Sequence, residues 1–276
     1  MNLVLQGPGA GAAHAAEAAR LCGARHIEPL AAGAFRLHAA EKNAALIEWC
    51  REHKLDCAFV PEGRRFSDLR LLAMDMDSTL ITIECIDEIG DMAGKKAEIA
   101  AITARAMRGE IDYAHSLQAR VGLLAGLGLD ALQRVYDERL RLSPGAEALI
   151  GACSKHGVKL LLVSGGFTFF TGRLKQRLAL DYTISNELEL RDGKLTGGLV
   201  GRIVDAAAKA ARFREVAQAL GASREQTVAI GDGANDLPMM AEAGTSVAYR
   251  AKPVVTAKAT VALDYSGLDG VVNLFE

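Results

Sequence analysis

Asp75 and Asp77 stand two residues apart in Asp75-Met76-Asp77-Ser78-Thr79, directly after the apolar run that ends at Met74. In an open α/β sheet, ligands sit just beyond the carboxyl ends of the strands. Two carboxylates there can divide the work of a reaction, one attacking an electrophile and the other shuttling a proton. A lone D-x-D can equally decorate a loop or cap a helix, since Asp and Ser favour such places. Ser164-Gly165-Gly166-Phe167 also follows an apolar run, Lys159 to Val163. A hydroxyl beside open glycine N–H groups can receive an anion, or the segment can be a plain strand-to-helix turn. Residue 162 is Leu, so this is no G-x-S-x-G elbow, and the chain has no P-loop pattern. Lys209, in the alanine-rich stretch Ala206 to Ala219, is either a solvated surface cation or a point charge for a phosphoryl group.

The last segment, Gly231-Asp232-Gly233-Ala234-Asn235-Asp236, follows the run Thr227 to Ile230. Its carboxylates and amide are hard oxygen donors of the kind Mg²⁺ prefers, although an acidic glycine-rich turn can exist without a metal. The spacing is not that of an EF-hand. The combination decides among these readings. Three strand ends offer carboxylate, hydroxyl and carboxylate again, with one lysine between the last two. Setting a carboxylate against a phosphate costs about 4 kcal/mol at ~4 Å and an effective dielectric near 20. A divalent cation and Lys209 would remove that repulsion, so the pattern points to phosphoryl transfer.

The elements that must position these residues are legible in outline. From Leu69 onward apolar runs alternate with helical stretches, the signature of a parallel sheet wound with helices. Arg70 to Met74, Lys159 to Val163 and Val228 to Ile230 are the predicted strands. A helical block, roughly Glu88 to Leu140 with breaks at Gly109, Gly126 and Gly128, predicts a cap of three or four helices over the strand ends. Arg191-Asp192-Gly193-Lys194 predicts a hairpin turn. Upstream, strands at Asn2–Gln6, His26–Pro29, Ala34–His38 and Leu55–Val60 alternate with helices at Ala12–Cys22 and Lys42–His53. That order, β-α-β-β-α-β, is ferredoxin-like. Pro61 to Asp68 reads as a polar linker.

Composition narrows the function classes. In 276 residues, 32 basic and 34 acidic side chains give a formal charge of −2, without the basic excess of a nucleic-acid binder. No apolar run approaches the ~20 residues a bilayer span needs, and the N-terminus carries no export signal. The five cysteines are scattered and never spaced C-x-x-C, which predicts a reduced, cytoplasmic protein with no membrane partner.

The four chemical segments resemble the four motifs of the haloacid dehalogenase superfamily of phosphohydrolases. The resemblance extends through Asp75–Asp87, Ala101–Leu127, Leu142–Gly145, Val163–Phe167, Asp232–Pro238 and Ala251–Pro253, and covers nearly all of Leu69 to Leu274. It implies a Rossmann-like α/β core at residues 67–276, with a helical cap at about 84–141. It further implies Mg²⁺-dependent hydrolysis of O-phospho-L-serine to L-serine and phosphate, the last step of serine biosynthesis. In that scheme Asp75 is the nucleophile and forms an aspartyl-phosphate. Asp77 protonates the leaving oxygen and later activates water, while Ser164, Gly165 and Lys209 hold the phosphoryl group. Mg²⁺ would be held by Asp75, the Asp77 main-chain carbonyl and Asp232, with Asp236 in support and Asn235 near the phosphate. Glu84 would meet the substrate ammonium and Arg120 its carboxylate, a bidentate grip that arginine suits. Met107 and Tyr113 match cap residues that close over the ligand, Tyr113 standing where the family often has Phe. Residues 1–66 more loosely resemble ACT-like regulatory domains, which bind amino acids or mediate dimer contacts, so a homodimer and a plain structural appendage are both open. The rival readings are a related phosphatase or phosphotransferase acting on another small phosphomonoester, and a silent amino-acid sensor.

Overall fold

A computed structural model describes residues 1–276. Two sheets organise it. The first contains β1 (Asn2–Gln6), β2 (His26–Ala31), β3 (Ala34–His38) and β4 (Asp56–Val60), in the order β2-β3-β1-β4, with antiparallel pairing. Helices α1 (Ala12–Cys22) and α2 (Ala44–Glu52) complete the expected β-α-β-β-α-β order. Side-chain alternation explains why β1 is buried throughout. Leu3 and Leu5 join Ala15, Ala18 and Leu46 under the helices, whereas Val4 points the other way into the main core.

The second sheet contains β5 (Leu71–Asp75), β6 (Lys159–Phe167), β7 (Tyr182–Arg191), β8 (Lys194–Val200), β9 (Thr227–Gly231), β10 (Thr245–Tyr249) and β11 (Val261–Leu263). Its order is β11-β10-β9-β5-β6-β7-β8, parallel except for the β7–β8 hairpin. The same alternation works here: Leu72 and Met74 of β5 enter one apolar layer, Leu71 and Ala73 the other. Helices α7 (Ala146–His156) and α8 (Thr168–Leu178) cover the first face, and α9 (Ala206–Ala219) and α10 (Leu237–Glu242) the second. A short α11 (Pro253–Thr256) follows β10. Because β5 is flanked by β6 on one side and β9 on the other, the chain leaves it in opposite directions, a topological switch point where α/β sheets bind ligands.

Between β5 and α7 the chain forms the cap: α3 (Cys85–Met92), α4 (Lys96–Met107), α5 (Tyr113–Gly122), α6 (Leu129–Arg134) and a wide turn at Val135–Arg139. Its two connecting segments cross side by side, with Thr82 N–H donating to the Arg141 carbonyl at 3.0 Å. The β7–β8 hairpin reaches up to it, exchanging bonds through Gly126 N–H to the Leu195 carbonyl (2.8 Å) and Leu195 N–H to the Leu127 carbonyl (2.9 Å).

The stretch read as a polar linker is not free of the core. Phe66 is buried within it, its ring 5.9 Å from that of Phe275 and 5.7 Å from that of His156. The small sheet is further tied to the chain's last segment by buried polar groups. Asp56 accepts N–H bonds from Asp264 (2.8 Å), Tyr265 (3.2 Å) and Ser266 (2.8 Å), and Arg36 donates to the carbonyls of Asn273 and Phe275. No helix is long and apolar enough to cross a membrane.

Candidate active site

The three motif-bearing strands are neighbours, in the order β9-β5-β6, so their carboxyl ends lie about 4.8 Å apart in sequence of spacing. Asp75 closes β5 and is almost fully buried. The next residues form a wide turn, Met76–Leu80, in which Asp77 is extended and Ser78 adopts φ 56°, a left-handed conformation disfavoured outside glycine. That turn aims Asp77 into the same cavity as Asp75. Asp77 Oδ1 accepts the Cys85 N–H at 2.8 Å, and its Oδ2 accepts the Ser164 hydroxyl at 3.3 Å. Ser164 Oγ in turn accepts the Gly166 N–H at 2.8 Å.

The predicted turn at Ser164 is a bulge within a longer strand. The β6–β7 register shifts between Val163 and Phe167, leaving Gly165 and Gly166 in the cavity wall with Ser164 buried behind them. Gly166 must be small, because a Cβ there would stand 2.8 Å from Asp77 Oδ2.

Lys209 settles its open reading decisively. It is 1 % exposed, and its Nζ donates to Asp75 Oδ1 at 2.7 Å and Asp236 Oδ1 at 2.8 Å. Asp236 is fixed on its other oxygen by the Gly233 N–H at 3.1 Å. Asp232 lies at the cavity and accepts the Thr79 hydroxyl at 3.3 Å. Burial pushes the Lys209 ammonium down, but Asp236 and Asp75 outweigh it and hold the group above the ordinary lysine value. Burial, then the charge of Asp236, pushes the Asp75 carboxyl well up, against the pull of Lys209. Asp77 is pushed up to about 6 by burial and by Glu84. Asp232 is likewise pushed up to about 6 by burial, Asp236 and Glu84.

The cavity of about 130 Å³ lies between the strand ends and the cap. Its cap wall is one face of α5, with Tyr113, Leu117 and Arg120 at i, i+4 and i+7, together with Glu84 and Ile86. Glu84 accepts the Ser78 hydroxyl at 2.7 Å. Asn235 and Gly165 also line the cavity, whereas Ser164, Lys209 and Asp236 are buried directly beneath it. Met107 is the exception among the expected residues. It ends α4, is 67 % exposed and is not part of the cavity wall. The structure therefore does not bring Met107 to the site.

Two residues at the site were missed by sequence reasoning. Lys252, just after β10, lines the cavity. Asn186 is buried in β7, donating to the Gly165 carbonyl at 2.8 Å and accepting the Val204 N–H at 2.8 Å. An asparagine inside a strand is disfavoured, and that was the available signal.

The donor set fits a hard divalent cation. One carboxylate oxygen each of Asp75, Asp232 and Asp236 lie within 4.8 Å of one another. Asp75, Asp77, Glu84, Asp232 and Asp236 face only Lys209, Lys252 and Arg120 at or beneath the cavity, a local deficit of positive charge. Oxygen donors at that density are the kind Mg²⁺ takes.

A family model for haloacid dehalogenase-like hydrolases matches residues 72–241, more than half of the chain. A second model, for a domain of unknown function (DUF4072), matches residues 3–46. Phosphoserine phosphatase of Polaromonas sp. is 56% identical over 215 residues, 76% of this chain and 91% of its own length. A crystal structure of a probable phosphoserine phosphatase from Vibrio cholerae, in unliganded form, matches with a TM-score of 0.88 and 38% identity, over 99% of this chain and 86% of that one. A substrate-bound phosphoserine phosphatase complex matches with a TM-score of 0.70 and 36% identity, over 75% of this chain and 99% of that one. The chain belongs to the haloacid dehalogenase-like hydrolases, and within them it is a phosphomonoester hydrolase of the phosphoserine phosphatase group.

Proposed function

We propose that the chain hydrolyses O-phospho-L-serine to L-serine and inorganic phosphate through an aspartyl-phosphate on Asp75, with Mg²⁺ as its cofactor, in the cytoplasm. One observation carries the reading. The ends of β9, β5 and β6 converge on a single cavity whose opposite wall presents Glu84 and Arg120. A phosphate fits the first side, and an ammonium with a carboxylate fits the second.

Asp75, Asp232 and the Asp77 main-chain carbonyl would hold the cation, with Asp236 behind them. When bound, it supplies the positive charge that lets a carboxylate meet a phosphoryl group. Lys209 engages Asp75 Oδ1 and leaves Oδ2 without a protein partner, which supports Oδ2 as the oxygen that attacks phosphorus. As that bond forms, the bond from phosphorus to the serine oxygen breaks. Asp77, with its carboxyl raised to about 6, carries the proton that the leaving oxygen takes. The resulting Asp77 carboxylate then removes a proton from water, which attacks the aspartyl-phosphate and releases phosphate. Ser164 and the N–H groups of the Gly165–Gly166 arch receive the phosphoryl oxygens, while Arg120 grips the substrate carboxylate and Glu84 its ammonium.

Residues 1–66 belong to this reading as an ACT-like domain, supported by the strand order of the small sheet. Serine titrated into the full chain, with and without that domain's Asp56 contact, tests whether it binds an amino acid. The main test is phosphate release from phosphoserine, phosphothreonine, phosphoethanolamine and a sugar phosphate, each with and without Mg²⁺. Release from phosphoserine far above the others, abolished by chelation, is the expected result; a sugar phosphate as the best substrate would overturn the assignment.

A further inference from the structure

We infer that the Tyr113 hydroxyl is a positioning group that sets the distance between the two halves of the substrate site. The Gly165 carbonyl accepts two bonds from opposite sides. Asn186 Nδ2 donates from the core at 2.8 Å, and the Tyr113 hydroxyl donates from the cap at 3.3 Å. The core donor is itself immobilised, because its Oδ1 accepts the Val204 N–H at 2.8 Å. The approach from the cap is built into both residues, since a Cβ on Gly165 would overlap the Tyr113 hydroxyl. A phenylalanine would fill the same space and shield the cavity equally well. Only the hydroxyl accounts for the bond.

Tyr113 is also the first residue of α5, and Arg120 lies two turns along the same ten-residue helix, facing the same cavity. Pinning the start of a short rigid helix to the arch after β6 therefore fixes where Arg120 stands relative to Ser164 and Gly165. This inference rests on the proposed substrate: only a ligand held at one end by Arg120 and at the other by the Ser164–Gly165 arch senses that distance. A misplacement well below the size of an atom already weakens such a two-ended grip.

Tyr113→Phe in the full chain tests it, with phosphoserine and p-nitrophenyl phosphate as paired substrates and hydrogen exchange of the 113–122 amides as an activity-independent readout. The expected result is a fall in kcat/KM for phosphoserine of about two- to twelvefold, the range of one neutral hydrogen bond, carried mainly by KM. The aryl phosphate, which has no carboxylate for Arg120, loses distinctly less than phosphoserine, and the α5 amides exchange faster. Equal losses on both substrates, or wild-type kinetics with wild-type exchange, overturn the inference. If the wild-type chain itself shows no preference for phosphoserine, the substrate reading fails, and exchange alone decides the hydroxyl's role: faster exchange in Tyr113→Phe supports it and unchanged exchange refutes it.

Discussion

Lys209→Met removes the one cation buried beneath the cavity while keeping a stem of similar length. In the native protein its ammonium bridges Asp75 at 2.7 Å and Asp236 at 2.8 Å, and all three groups are shielded from water. Breaking a buried ion pair by removing one partner typically costs about 3–5 kcal/mol, because the remaining charge is left without a counterion. Here two carboxylates are orphaned, so the loss should sit at the upper part of that range at neutral pH. It should shrink under acid, where a proton can take the lysine's place. Equilibrium unfolding in guanidinium, followed by circular dichroism with EDTA present so that no divalent cation substitutes, measures it. The companion variant Lys209→Met/Asp236→Asn removes one of the orphaned charges and should be more stable than Lys209→Met alone, even though it carries an additional substitution. A Lys209→Met protein within about 1 kcal/mol of wild type, or a double variant less stable than the single, would refute the claim that this lysine neutralises the site.

Other consequences are independent of that result. Arg120→Ala should lower kcat/KM for phosphoserine by roughly 10- to 100-fold, the range of a lost charged hydrogen bond, while sparing an aryl phosphate; equal losses would remove Arg120 from carboxylate recognition. Asn186→Ala leaves the Val204 N–H without its acceptor and should destabilise the fold by about 1–3 kcal/mol, measurable in the same denaturation assay. The raised carboxyls predict a pH trend for the metal-free protein. Asp77 and Asp232 titrate near 6 when folded but near their ordinary 3.8 when unfolded, so between those values the folded state holds more protons. Stability contributed by these groups is therefore present at low pH and lost as pH rises toward and through 6. Mg²⁺ binds the ionised carboxylate of Asp232, so the rise in thermal midpoint on adding it should be larger at pH 8 than at pH 5. A larger rise at pH 5 would contradict the assignment of Asp232 as a ligand.

Most of the site was legible because its chemistry is written at strand ends. Asp75, Ser164 and Asp232 each follow an apolar run that had to be a buried strand, and a parallel sheet places such ends on one rim. What the sequence left hidden depends on pairing between distant segments. The bulge at Ser164 to Gly166 exists only through the β6–β7 register. Strands β10 and β11 are short, and Thr245-Ser246 opens the first of them with polar groups that read as loop. Phe66 looked like part of a polar linker because its ring partners, Phe275 and His156, are far away in the chain. Lys209 could not be told from a surface lysine, since an alanine-rich helix has no apolar stripe strong enough to say which face is inside. Met107 differs: a resemblance carried it to the site, and the structure leaves it exposed at the end of α4, outside the cavity lining.

The proposed chemistry requires Asp75 to form a covalent bond to phosphorus. Mixing the chain with ³²P-labelled phosphoserine and Mg²⁺, quenching in acid within one turnover and mapping the label by peptide tests this directly. The expected result is a hydroxylamine-labile label on the peptide that contains Asp75, absent from Asp75→Asn. Full turnover with no labelled protein, or a label that persists in Asp75→Asn, would contradict it.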